Sequence, residues 1–179
     1  MIREMQLELF TEVSLSAMAR IAPTAIQTKK RVPDRESRLT ASERYEVMTR
    51  SMLKEHGVRV RKWRSSTSGV AWQLTYEDGQ VSRLIESPRP RGPMSAAVFL
   101  HEIGHHAIGF ETYKPRCLEE YHAWMYALAQ MERWEIQVTE AVQNRVHDAL
   151  HYAVSKAVRR GIKRIPPELG QFSMPRSQK

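Results

Sequence analysis

The chain has 179 residues, 41% of them hydrophobic and 27% charged, with a formal net charge of +8. These values suit one globular domain with a single core. The lone cysteine, Cys117, excludes an intrachain disulfide and a cysteine-built metal cluster, and reads as cytoplasmic. The basic balance favours nucleic acid or an acidic partner. It also describes many soluble proteins that have neither.

Residues 1–39 read as an extension. Its apolar pieces are interrupted by Glu4, Glu8 and Glu12, so no signal peptide is expected. No run approaches the length of a membrane helix. The charged segment from Lys29 to Arg38 carries Pro33 and reads as a linker. A domain is expected over residues 40–161, with a loose basic tail over 162–179.

The first helix begins after Thr40, where Glu43 gives capping-box spacing, and stops at Gly57. Tyr45, Val47, Met48, Met52 and Leu53 supply its apolar face. Three short strands are expected next, over Val58–Trp63, Gly69–Tyr76 and Gln80–Ser87. The first alternates apolar and basic residues, so Arg59, Arg61 and Lys62 either line a solvated face or steer a substrate. Asp78-Gly79 is a two-residue hairpin signal between the other two.

Pro93 suits the first position of a helix. The segment PMSAAVFLHEIGHHAIGF is apolar nearly all round, which marks a buried helix ending at Gly109. A further helix is expected over LEEYHAWMYALAQMERW, and another from about Thr139 to Arg160, stopped by Gly161. The fold class is α+β.

His101 and His105 are four residues apart and share one helical face. Two imidazoles at that spacing can bind one zinc ion, and Glu102 lies at the edge of the same face. A carboxylate there can hold a water and take its proton, which is the chemistry of the HExxH motif. A short pattern can arise by chance. On an apolar helix, however, His and Glu are costly to bury unless paired or liganded. His106 points away from His101 and reads as a supporting or surface residue.

A third protein ligand is needed, with the fourth position open. On the next helix, Glu120 leads a face of Ala123, Trp124, Ala127, Leu128, Met131 and Trp134. Glu119 leads a face with His122, Ala123, Tyr126, Gln130 and Arg133, read as the polar one. A carboxylate on the apolar stripe needs a partner, so Glu120 is the expected ligand and Glu119 a first-turn acid facing the helix dipole.

HEIGH, a short loop and then Glu120-Tyr121-His122-Ala123-Trp124 resemble a gluzincin, and the element order over residues 40–135 resembles the small ImmA/IrrE-type metallopeptidase domain. The resemblance implies a minimal zincin-like domain. A three-stranded mixed sheet would pack on the active-site helix, followed by the glutamate helix and a further C-terminal helix. It also implies an edge strand near the metal, for which Gln80–Ser87 is the candidate, and a peptide substrate pairing with that edge. In such proteins the substrate is typically a helix-turn-helix repressor. Gluzincins usually place Asp or Asn four residues after the third ligand to orient a zinc histidine. Trp124 stands there in this chain, so another group must serve.

An oxyanion donor is also required. Tyr113, Tyr121, His122, His147 and His151 are the candidates, unranked. His147 and His151 also share the four-residue spacing of a second metal pair, or are boundary histidines. Lys156, Arg159, Arg160, Lys163 and Arg164 either complement a helix C-terminus or contact DNA or an acidic partner. The functional expectation is a zinc peptidase of narrow specificity. The alternatives are a DNA-associated protein with a non-catalytic zinc site, and an interaction protein that lost turnover.

Overall fold

The computed structural model describes residues 39–176. The expected extension over residues 1–39 lies almost wholly outside them. The described chain is α+β. Its elements are α1 (Ala41–His56), β1 (Val58–Arg64), β2 (Val70–Thr75), β3 (Val81–Pro88), α2 (Pro93–Ile108), α3 (Arg116–Arg133) and α4 (Glu140–Arg159), then a 3-10 segment, Pro167–Phe172.

The sheet is mixed, in the order β1-β3-β2. β2 and β3 form the antiparallel hairpin, with Gly79 at φ 82° and the Asp78 carboxylate accepting from the Gln80 amide at 2.9 Å. β1 runs parallel to β3 along its other side. This corrects one expectation. The strand with the QVSRLIES sequence is central, not an edge, and β2 is the edge on the hairpin side. A local pattern can announce a hairpin, but which partner flanks it is decided by the non-local β1–β3 pairing. A register shift in β1 between Val60 and Lys62 breaks its alternation, and Arg61 and Arg64 both pair with Glu86 on β3 at 3.1 and 3.0 Å. Arg59 donates to Ser82 Oγ. Arg59 and Arg61 therefore brace the sheet.

α2 is the central helix. Ser95 Oγ accepts from the Arg91 and Gly92 amides at its start, Pro93 occupies the first turn, and Gly109 ends it at φ 81°. Every residue from Ala96 to His106 is buried. Phe99, Leu100 and Ile103 join Met48 and Met52 of α1, Ile85 of β3 and Met131 of α3 in the core. Each such side chain contributes about 1.5–3 kcal/mol on leaving water. The α2–α3 crossing is close because Gly104 lacks a side chain; a Cβ there would lie 2.7 Å from the Ala123 carbonyl oxygen. α4 starts on a Thr139 cap, whose hydroxyl accepts from the Val142 amide, and buries Val142, Val146, Leu150 and Val154 at successive turns.

The tail is not loose through its described part. Leu169 and Phe172 are buried, and His151 Nδ1 donates to the Phe172 carbonyl at 2.9 Å. Two apolar anchors outweigh the surrounding prolines and charges. No described helix is long and apolar enough to cross a membrane.

Candidate metal centre

α2 brings His101 and His105 to one face because they are one turn apart, and their rings meet edge to face at 4.7 Å. α3 crosses that face and adds Glu120. Its Oε2 lies 3.4 Å from His101 Nε2 and 3.6 Å from His105 Nε2. Among the described residues this is the group of ligand atoms that converges, all within 4.8 Å of one another. A tetrahedral ion with bonds of about 2.0–2.1 Å spaces its ligand atoms by roughly 3.3–3.4 Å. The two Glu120 distances are close to that spacing, and the three residues could hold a metal ion.

The groups behind the ligands differ from expectation. Glu119, expected on a polar stripe, is 2% exposed, while the Glu120 side chain is 25% exposed. The buried arc of α3 is wide and takes in Cys117, Glu119, Ala123, Trp124, Tyr126 and Ala127. Glu119 Oε1 accepts from His105 Nδ1 at 3.2 Å, and its Oε2 accepts from the Glu111 amide at 3.1 Å. Glu111 holds a φ of 60°, unusual for a non-glycine, which turns that amide inward. A carboxylate can only accept, so Nδ1 carries a proton, and Nε2 becomes a lone-pair donor once the ring's second proton, held at about 9, has left. This is the orienting role that Trp124 cannot fill by hydrogen bonding. Trp124 instead stacks on His101, with centroids 4.2 Å apart and planes 19° from parallel. Arg116 Nε holds the other Glu120 oxygen at 3.3 Å.

Burial and charge set the protonation of the group. Burial lowers His101 to about 4, so it is neutral at pH 7. Burial also pulls on His105, but the hydrogen bonds to Glu119 and Glu120 overcome it and hold it up at about 9. Burial alone would raise Glu120; its contacts with His101 and His105 drive it well below the usual carboxylate range. Glu102 has no such hydrogen bond among the described residues, and burial outweighs the His105, Arg64 and Arg145 charges and pushes it up to about 7.

Glu102 is also enclosed by Gly69, at the entrance to β2. A Cβ on Gly69 would lie within 2.5–2.7 Å of Glu102 Cγ and Cδ. Sequence reading missed Gly69; its position before the edge strand gave no sign of a close approach. His106 is buried, not on the surface, and its Nε2 donates to the Leu84 carbonyl at 3.1 Å, tying α2 to the central strand.

His101, Glu102 and Glu120 open into a cavity of about 1030 Å³ between the Ser68–Gly69 loop, α3 and α4. None of the five expected oxyanion donors lines it. Tyr113 stacks on His122 at 3.7 Å, Tyr121 packs near Phe172, and His147 and His151 both engage Phe172. His147 and His151 thus hold the tail down, and their spacing serves packing. The cavity receives Arg145 and Tyr152 from α4 instead. Arg145 Nε is buried without a hydrogen-bond partner among the described residues, and its charge reaches both His101 and Glu102.

Comparison with known proteins finds no match to a family model, a curated protein or a solved structure.

Proposed function

We propose that the chain is a zinc-dependent peptidase acting on a specific protein substrate, with a regulatory repressor-type protein as the expected class. The observation that carries this reading is the convergence of His101 Nε2, His105 Nε2 and Glu120 Oε2 beside a buried Glu102 with no ion pair among the described residues. Zinc held there supplies a Lewis acid for a carbonyl and lowers the pKa of a water to about 7. A mixed sheet against the HEIGH helix, with glutamates on the next helix, supports a minimal zincin-like domain.

The chain's own residues do the rest. Glu102, poised near 7, accepts the proton of the attacking water as the new C–O bond forms. It then returns the proton to the amide nitrogen as the C–N bond breaks. Glu119 keeps His105 in the metal-binding tautomer, and Trp124 fixes the plane of His101. β2 offers the free edge on the hairpin side of β3, and Gly69 leads that edge up to Glu102. A substrate strand added to β2 brings its carbonyl to the histidines.

The direct test is incubation of the protein with unfolded substrate proteins, analysed by mass spectrometry. Cuts should appear, vanish with a chelator and return on adding zinc. A stoichiometrically zinc-loaded protein that makes no cut overturns the reading.

Proton competition gives a second expectation. Without metal, His105 keeps its proton up to about pH 9. Zinc must displace that proton, so zinc affinity should rise about tenfold per pH unit from about pH 6 and level off above about pH 9. Competition titrations against a chromophoric chelator read the slope. A flat profile would show that Glu119 and Glu120 do not hold the His105 proton.

Gly69→Ala separates activity from stability. The clash falls on Cγ, Cδ and the carboxylate of Glu102, a side chain that lines the cavity and can swing into it, so the melting temperature should change little. Displacement of the base by about 1 Å should cost on the order of a hundredfold in kcat. Full activity in this variant would show that Gly69 does not position Glu102.

A further inference from the structure

The basic residues at the end of α4 divide into two groups. Lys156 and Arg160 line the cavity that holds His101 and Glu102; Arg159, Lys163 and Arg164 do not. With Arg145 they mark one stripe of α4. Ala149, Ala153 and Ala157 lie between them and form a shallow floor of small side chains. Among the described residues, Arg145, Lys156 and Arg160 form no ion pair, whereas Arg116 and Asp148 in the same cavity pair with Glu120 and Arg176. A helix-dipole role explains cations in a last turn. It does not explain Arg145 in the first half of α4, nor a groove floored with alanine.

We propose that this groove selects the substrate as an extended acidic segment, with carboxylates placed against Arg145 beside the cleaved bond and against Lys156 and Arg160 farther along. The proposal rests on the peptidase reading and adds its substrate class. Helical rise separates Arg145 from Lys156 by about 16 Å and from Arg160 by about 22 Å. An extended strand covers those lengths in about five and about seven residues. Arg145 is the one of the three whose charge reaches His101 and Glu102, so it marks the end nearest the chemistry. The groove suits a peptide better than nucleic acid. It is concave, its inner end carries Glu102 and Glu120, and Trp124 is already stacked on His101 and closed to a base.

The test uses the full chain carrying Glu102→Gln, loaded with zinc, so that binding is read without turnover. Labelled extended peptides of alanine, glycine and serine carry one glutamate near the middle and a pair about five to seven residues away. Their counterparts carry glutamine at those sites, and a labelled DNA duplex is the third probe. Fluorescence anisotropy should show the acidic peptide binding at least about tenfold tighter than its glutamine counterpart, with the advantage lost at high salt. Adding Lys156→Gln and Arg160→Gln should remove most of it. Equal binding of both peptides, or preferred binding of the duplex, overturns the proposal. In parallel, cut sites made by the wild-type protein in a peptide mixture should be enriched in Asp and Glu at those two spacings. Cuts without that enrichment overturn the acidic groove and leave the peptidase standing. No cuts, with acidic binding intact, overturn the peptidase and leave the groove.

Discussion

Replacing Glu102 with Gln should leave zinc binding intact and lower peptide cleavage by about 10²–10⁴-fold, the range that general acid–base groups contribute. The substitution keeps the size and hydrogen-bonding reach of the side chain and removes its capacity to take a proton. Glu102 lies on the flank of the ligand face, and burial holds its carboxyl near 7 against the weaker pull of the His105, Arg64 and Arg145 charges. Glutamine in the same enclosure against Gly69 has no reason to move. Metal analysis of the purified variant beside its kcat reads both halves of the expectation. Undiminished turnover would show that another group accepts the proton and would remove Glu102 from the mechanism. Loss of zinc together with activity would mean that Glu102 is a ligand.

Glu120→Ala should abolish stoichiometric zinc, and the contrast with Glu119→Gln makes the result specific. Glu120 faces both Nε2 atoms, so its removal leaves two imidazoles and an open side. Of the two histidines Glu119 reaches only His105, at Nδ1, on the side of the ring away from Glu120. Losing such a supporting partner typically costs about 10–100-fold in metal affinity, and losing a ligand should cost more. Full occupancy in Glu120→Ala would refute the ligand assignment. Equal losses in the two variants would mean that both carboxylates reach the metal. Circular dichroism of the metal-free proteins guards against misfolding, since Glu119 is buried and its replacement disturbs the Glu111 loop as well.

The two glutamates also mark where sequence reading is strong and where it fails. Periodicity placed Glu120 correctly over the histidines. It then sent Glu119 to a polar face, because His122, Gln130 and Arg133 share that side. Ala123 and Tyr126 are on it too, and both are buried. That was the missed signal. Helix α3 is covered on two sides, and a helix packed that way has no single apolar stripe to read. The His147–His151 pair takes the second of its two readings, as boundary histidines. Its spacing fits a metal, but Phe172 from the tail occupies its surroundings.

The sequence by itself determined what is local. A turn of helix aligns His101 with His105 and puts Glu102 on their flank wherever the helix lies. Asp78-Gly79 makes the hairpin, and Pro93 and Gly109 bound the helix. Tertiary structure alone decided the rest. Parallel pairing with β1 made β3 central and left β2 as the edge beside Glu102. The glycine-spaced crossing of α2 on α3 chose which glutamate faces the histidines and which stands behind one of them. The packing of α4 set Arg145, Lys156 and Arg160 along one wall of the cavity, with Lys156 and Arg160 still exposed to water. Each of these depends on partners distant in sequence, and local periodicity carries no information about which surface will arrive to cover a face.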